Sequence, residues 1–389
     1  MPDTSWKRSR IALYVITFLF NLHVAIPTYI FSSFLAGFTG NATVGIVYTA
    51  ASLLTIAAFA LILKALRRFG NIAVTLALLI AELVSLLVLA FVPVAFPVMA
   101  FFMASFAAIA LINFTLDALL EDFTSDTKTG NIRGRYYTFD NLGWLVAPLL
   151  AALLLGKSGT DFSLVFIVIA AILVPVIILI AFCFRGFKDP EYSQTSFLRG
   201  IADMLKDRDM RGIFLIDVLI QSFYALMIIY TPIYLHNTIG FDWTTIGILF
   251  SIMLIPFVLV GIPEGFLADS GFGEKSTIAI GFLICGLATL ACAIFGDGSA
   301  LLWAILLFLT RVGAASSDIM SDTYFFKKVN GRDIQKIALY RTARPIAYVI
   351  SSVIATIILA VTDIKGLLIV LGLLMFYGIR IALSISDVK

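Results

Sequence analysis

Asn113, Asp117 and Glu121 recur at i, i+4 and i+8, while Arg311, Asp318 and Asp322 recur at i, i+7 and i+11. These spacings place each set along one stripe of an α-helix. Both sets interrupt stretches that are otherwise apolar. Carboxylates stacked on one helix face repel one another, which favours their protonated forms and suits them to taking up and releasing protons. Arginine keeps its charge in any surroundings, so Arg311 requires a carboxylate, an anionic ligand or water beside it. Asp318 lies about 10 Å further along the same face, a span that a long side chain closes only in part. Other polar residues break apolar runs in the same way: Asn21, His23, Glu82, Asp140, Asp217, Gln221, Tyr224 and Arg344. His23 is a candidate proton carrier. Glu82 reads as a protonated acid bonded to a neighbouring backbone. With two histidines in the chain, no metal-ligand cluster or nucleophile–histidine–acid set is legible, and no cofactor is expected. Gly156-Lys157-Ser158 resembles the end of a phosphate loop, but Ala151 stands where the loop's first glycine belongs.

The elements that carry these residues follow from composition. Hydrophobic residues make up 61% of the 389 positions and charged ones 13%, and mean hydropathy is +1.05, beyond what a soluble domain of this size carries. A hydrocarbon core needs about 20 apolar helical residues to cross it. Twelve such stretches are predicted, at 11–35, 43–63, 72–93, 98–121, 136–156, 162–184, 212–235, 243–267, 276–296, 300–323, 340–362 and 366–384. Of the 27 Lys and Arg residues, all but Lys157, Lys365 and Arg311 fall in or beside segments that share one side of the membrane in this arrangement. Basic loops mark the cytoplasmic side, so both termini are placed there. The net charge of +3 then reflects topology, not nucleic-acid binding. The apolar run after Arg10 is too long for a cleavable signal, and the first helix is expected to be retained.

Two halves repeat. Asp117 and Glu121 near the end of the fourth stretch correspond to Asp318 and Asp322 near the end of the tenth, and Val44-Gly45-Ile46 to Ile246-Gly247-Ile248. The expected fold is an all-α membrane protein of twelve transmembrane helices in two pseudo-symmetric six-helix bundles, 1–184 and 212–389. Residues 185–211 form a polar linker. Such parallel repeats carry a binding site between them near the midplane. Depth then sorts the polar residues. Asn21, His23, Asn113, Gln221, Tyr224 and Arg311 form a midplane layer for a small-molecule substrate. Asp117, Glu121, Asp140, Asp318 and Asp322, facing Arg133, Arg135, Arg341 and Arg344, form a gate or proton-coupling layer about two turns nearer the cytoplasm.

Gly265-Phe266-Leu267-Ala268-Asp269, followed by Gly273-Glu274-Lys275, resembles the loop signature of the major facilitator superfamily, with one inserted residue and Ser270 in place of a basic residue. Arg67-Arg68-Phe69-Gly70 keeps part of the same pattern in the first half. The resemblance implies that Arg68, Gly70, Gly265 and Asp269 set the balance between inward and outward states. It also implies that the first, fourth, seventh and tenth helices line a cavity. Gly143-Trp144-Leu145-Val146-Ala147-Pro148 with Ala151-Ala152 is similar to that family's antiporter signature, with alanine for glycine at three places. Gly143 and Pro148 would then bend and closely pack the fifth helix. The expectation is a secondary transporter, a monomer in the bacterial inner membrane, exporting a small molecule in exchange for protons. Proton-coupled uptake of a polar or anionic nutrient and a non-transporting receptor on the same fold are the alternatives. Membrane lipid is the expected surroundings, and no nucleic-acid partner is expected.

Overall fold

Glycine and proline decide where the apolar runs of this chain stop being helical. The computed structural model describes residues 3–122, 129–156, 162–186, 204, 206–259, 273–295, 298–329 and 334–386, and every regular element among them is a helix. In order these are α1 (Asp3–Thr28), α2 (Phe31–Thr39), α3 (Asn41–Phe69), α4 (Asn71–Phe91), α5 (Ala95–Asp122), α6 (Thr129–Leu155) and α7 (Phe162–Cys183). They continue with α8 (Arg208–Ile233), α9 (Trp243–Leu259), α10 (Glu274–Phe295), α11 (Ala300–Lys328), α12 (Ile334–Arg341), α13 (Ala343–Leu359) and α14 (Ile364–Ala382). Among the described residues ten helices are long and apolar enough to cross a membrane, and two shorter apolar helices occupy Phe139–Leu155 and Trp243–Phe257.

The first expected span is broken. Pro27 has no N–H to offer the carbonyl of His23, α1 ends one residue later, and Ile30 N–H turns back to Pro27 O at 3.0 Å before α2 begins. A second break divides α12 from α13 at Thr342, whose N–H bonds Leu339 O at 3.0 Å. Pro345 in the first turn of α13 has no N–H for a carbonyl four residues back. Pro232 has the same effect on α8, which runs on as a π-helical turn over Tyr234–Ile239 and stops at left-handed Gly240. The expected linker 185–211 lies mostly outside the described residues. Its end belongs to α8, which starts at Arg208 because the Asp207 side chain accepts from Asp209 N at 2.9 Å and Met210 N at 3.2 Å, a helix N-cap.

Packing divides the chain into two compact units, Met1–Tyr192 and Ser193–Lys389. In the first unit α1 lies against α6 and α7, and α5 and α7 both pack on α4. In the second, α10 lies between α11 and α14, while α8 packs against α11, α13 and α14. Small residues permit the closest of these approaches, as is usual where helices gain nothing from expelling water. A Cβ on Gly313 of α11 would meet the backbone nitrogen of Cys285 and the carbonyl oxygen of Gly281 on α10. Gly286 of α10 stands 3.0 Å from Gly372 O on α14 by the same measure.

Gly313→Ala is therefore expected to push α10 from α11 and cost about 1–3 kcal/mol. Gly37→Ala is the control, because nothing lies within 4 Å of a Cβ there. Thermal unfolding of both variants in detergent micelles should show a lowered midpoint for Gly313→Ala and little change for Gly37→Ala.

Candidate functional site

In the second unit, packing of α8 on α11 brings together the side chains with most chemical potential. Arg311 is 1% exposed. Its guanidinium carbon lies 5.1 Å from the ring centre of Phe223 and 5.2 Å from that of Tyr224. Such contacts offset burial of a cation by about 0.5–2 kcal/mol, but a ring face does not satisfy an in-plane N–H. Arg311 Nε and Nη1 are buried and have no hydrogen-bond partner among the described residues. The Tyr224 hydroxyl donates to Asp318 Oδ2 at 3.2 Å. One residue thus presents its ring to the cation and its hydroxyl to the carboxylate, linking two residues that the sequence reading expected in separate layers. An aromatic-flanked guanidinium with open donors is a receptor for carboxylate or phosphate oxygens. Gln221, one turn away on α8, donates to Asp217 Oδ1 at 3.2 Å.

Below this group on α11, Asp322 Oδ2 receives Arg341 Nη1 and Nη2, both at 3.5 Å, with the two side chains 21% and 27% exposed. A pair that long and that wet contributes no more than about 1 kcal/mol, which makes it easy to break. The α11–α12 contact that positions it is aromatic and polar: Phe325 stacks on Tyr340 with ring centres 4.0 Å apart, and Ser321 Oγ lies 3.1 Å from the Tyr340 hydroxyl. Arg344 is half-buried at the start of α13. Glu274, from the loop that resembles a family signature, is buried and bonded by Lys327 Nζ at 2.7 Å. Gly265 and Asp269 of that loop lie outside the described residues.

In the first unit Asp117 and Asp140 are half-buried on α5 and α6, and neither is isolated. The side chains of Glu121, Arg133 and Arg135 lie outside the described residues. Arg68 is exposed, with its guanidinium 5.2 Å from the Phe69 ring. Gly70 forms a one-residue corner between α3 and α4 at φ 81°, its N–H on Leu66 O at 2.9 Å. Asn113 is half-buried on α5. Asn21 is satisfied within its own helix, Nδ2 donating to Thr17 O at 3.1 Å. Its neighbour across the interface is Gly143, where a Cβ would stand 3.0 Å from Leu22 N and 3.1 Å from Phe18 O. Pro148 follows on the same helix, α6.

Glu82 corrects the sequence reading. Its partners are side chains: Glu82 Oε1 lies 3.2 Å from His23 Nε2 and accepts from Ser105 Oγ at 2.9 Å. This joins α1, α4 and α5 through three buried residues. The signal in the sequence was one ionisable side chain near the middle of α4, matched by Ser105 near the middle of α5. Asn71 was passed over too; its Nδ2 donates to Thr115 O at 3.0 Å and ties α4 to α5 again. Among the described residues no three His, Cys, Asp or Glu side chains gather where a metal ion would bind.

Tyr224→Phe keeps the ring against Arg311 and removes the donor to Asp318, so stability is expected to fall by about 0.5–1.5 kcal/mol. Tyr224→Ala, which also strips one face from the buried cation, should cost more. Thermal unfolding of the two variants side by side checks the order.

Compared with known protein families, the chain matches the family model described as Major Facilitator Superfamily over residues 13–325 and again over 220–385. Comparison with curated proteins found no match.

Proposed function

The chain belongs to the major facilitator superfamily, whose members are secondary transporters in multi-pass membrane form, and we propose that it carries a small molecule bearing an anionic group, by alternating access coupled to protons. Arg311 carries this reading: a permanent cation, 1% exposed, with two N–H-bearing nitrogens that no described residue satisfies. A charge at the centre of a membrane helix costs about 2.5–3.5 kcal/mol on insertion scales. A substrate carboxylate or phosphate would recover that cost at the moment of binding, through charge-assisted hydrogen bonds. Tyr224 and Asp318 would sense the anion directly, since the same ring and hydroxyl touch both charges. In this reading twelve spans form two six-helix bundles, 1–184 and 212–389, of a monomer in the bacterial inner membrane with both termini cytoplasmic. Asp322 and Arg341 act as a gate pair that parts when the site opens.

Export in exchange for protons is the direction proposed. Its support is Gly143, whose missing side chain lets α6 rest on the backbone of α1 in the segment similar to the antiporter signature. Uptake together with protons is the second reading, favoured by Arg311 because soluble nutrients commonly carry a carboxylate or phosphate.

Reconstitution into liposomes that trap a pH-sensitive dye tests the proposal. Pooled mono- and dicarboxylates are expected to drive proton movement, whereas pooled amphipathic cations are not, and the sign of the movement separates exchange from co-transport. Arg311→Ala should reduce carboxylate-driven movement about tenfold or more, the loss of one or more hydrogen bonds to a charged group, and Arg311→Lys should restore part of it. Unaltered movement in Arg311→Ala would remove Arg311 from the substrate site.

A further inference from the structure

We propose that His23 and Glu82 hold a single shared proton and form a proton-binding site within the first unit. The hydrogen-bond pattern leads there by elimination. His23 Nδ1 lies 2.8 Å from Phe20 O. A carbonyl oxygen only accepts, so Nδ1 carries hydrogen. The other ring nitrogen, Nε2, faces Glu82 Oε1 at 3.2 Å, and one of these two atoms must bear a proton for that contact to be attractive. Neutral imidazole beside a carboxylic acid and imidazolium beside a carboxylate are the two forms, and both have no net charge. Withdrawing the proton sets a nitrogen lone pair against a carboxylate, in side chains that are 1% and 0% exposed. Uptake and release therefore change the charge of a buried pair by one unit. No covalent bond other than that to the proton is made or broken.

Three further features suit the pair to exchange its proton. Ser105 Oγ donates to Glu82 Oε1 at 2.9 Å and fixes the carboxyl group toward the imidazole. Glu82 Oε2 is buried and has no partner among the described residues, which leaves one oxygen open to an incoming water or proton. The break after α1 lies one turn beyond His23, where Pro27 leaves the His23 carbonyl without its helical donor. Movement about this break would alter access to the pair.

Among the described residues the charged surroundings are sparse, and the cations of α3, which packs on α4 and α5, are Lys64, Arg67 and Arg68 in its last two turns, all exposed. Glu82 is the one ionisable side chain of α4, and α7 carries no charged residue over Phe162–Cys183. On α5 the described carboxylate is Asp117, twelve residues from Ser105 and so about 18 Å along the helix. On α6 it is Asp140, one turn from Gly143. Tyr14 stands more than two turns before His23 on α1. Glu82 is thus the titratable group that His23 meets directly.

The coupling role of this site rests on the proton-coupled reading above, but its existence is testable without transport. The chain has two histidines, so His236→Gln protein with ¹⁵N-labelled imidazole in lipid nanodiscs reports His23 alone. Nδ1 is expected to stay protonated, and Nε2 to show a signal between its protonated and bare limits. Glu82→Gln should collapse that signal to one limit, and Ser105→Ala, which keeps both members, should displace it. An Nε2 signal already at one limit and indifferent to both substitutions would overturn the proposal. In the dye-loaded liposomes Glu82→Gln should abolish proton movement driven by pooled carboxylates while exchange of labelled carboxylates across the membrane continues. Full proton movement in Glu82→Gln would overturn the coupling role. Wild-type protein that moves no protons with any pool, yet shows the shared-proton signal, would reject coupled transport and keep the site.

Discussion

A polar side chain placed among apolar helices has no water to fall back on, so each must be satisfied by another part of the chain or remain a standing cost. Most are settled locally. Ser52, Thr55 and Thr289 return their hydroxyls to carbonyls four residues back, and Asn21 does the same with its amide. A few are settled between helices, as Asn71 is with Thr115 O and Ser317 with Ile278 O. These cross-helix bonds hold neighbouring helices in one register. What remains after both kinds is short: the open oxygen of Glu82 and the open nitrogens of Arg311 are the charged-group atoms left buried without a partner among the described residues.

The two units leave different kinds of residue unsatisfied. In the first, the open oxygen belongs to a carboxyl group facing a histidine, and the pair has no net charge while one proton is shared between them. In the second, arginine has no such option, and aromatic faces from α8 surround it without meeting its donors. A group that adjusts its proton suits proton handling, and one that keeps its charge suits anion recognition. The two kinds of group fall on separate packed units, each with a helix break at proline.

Backbone geometry sets how firmly these groups are held. Where α10 meets α11, glycine on both helices brings main chains close enough to exclude a methyl group, and Arg311 stands on the same helix as Gly313. The breaks at Tyr29–Ile30 and Thr342 instead interrupt the helical ladder beside His23 and beside Arg341. Close glycine contacts and broken helical ladders alternate along the described residues, so Arg311 stands beside a tight helix contact while His23 and Arg341 stand beside breaks.

Composition and spacing by themselves determined that the chain is helical and apolar enough for many membrane spans, since every backbone group in hydrocarbon must bond within its own segment. They also singled out Arg311, Tyr224 and His23, because an ionisable or polar residue in a long apolar run is expensive wherever that run packs. Partners were a different matter. Helical periodicity names a face but not the helix that covers it, so Glu82 was assigned a backbone partner when its bond is to a residue 59 positions away. In the same way Tyr224 and Asp318 were set in separate layers, although the length of a tyrosine carries its hydroxyl across the gap between them. Only tertiary packing decided that α4 presents Glu82 to α1 and that α8 lays two rings on Arg311, because those contacts depend on which helices are neighbours and how far each is turned.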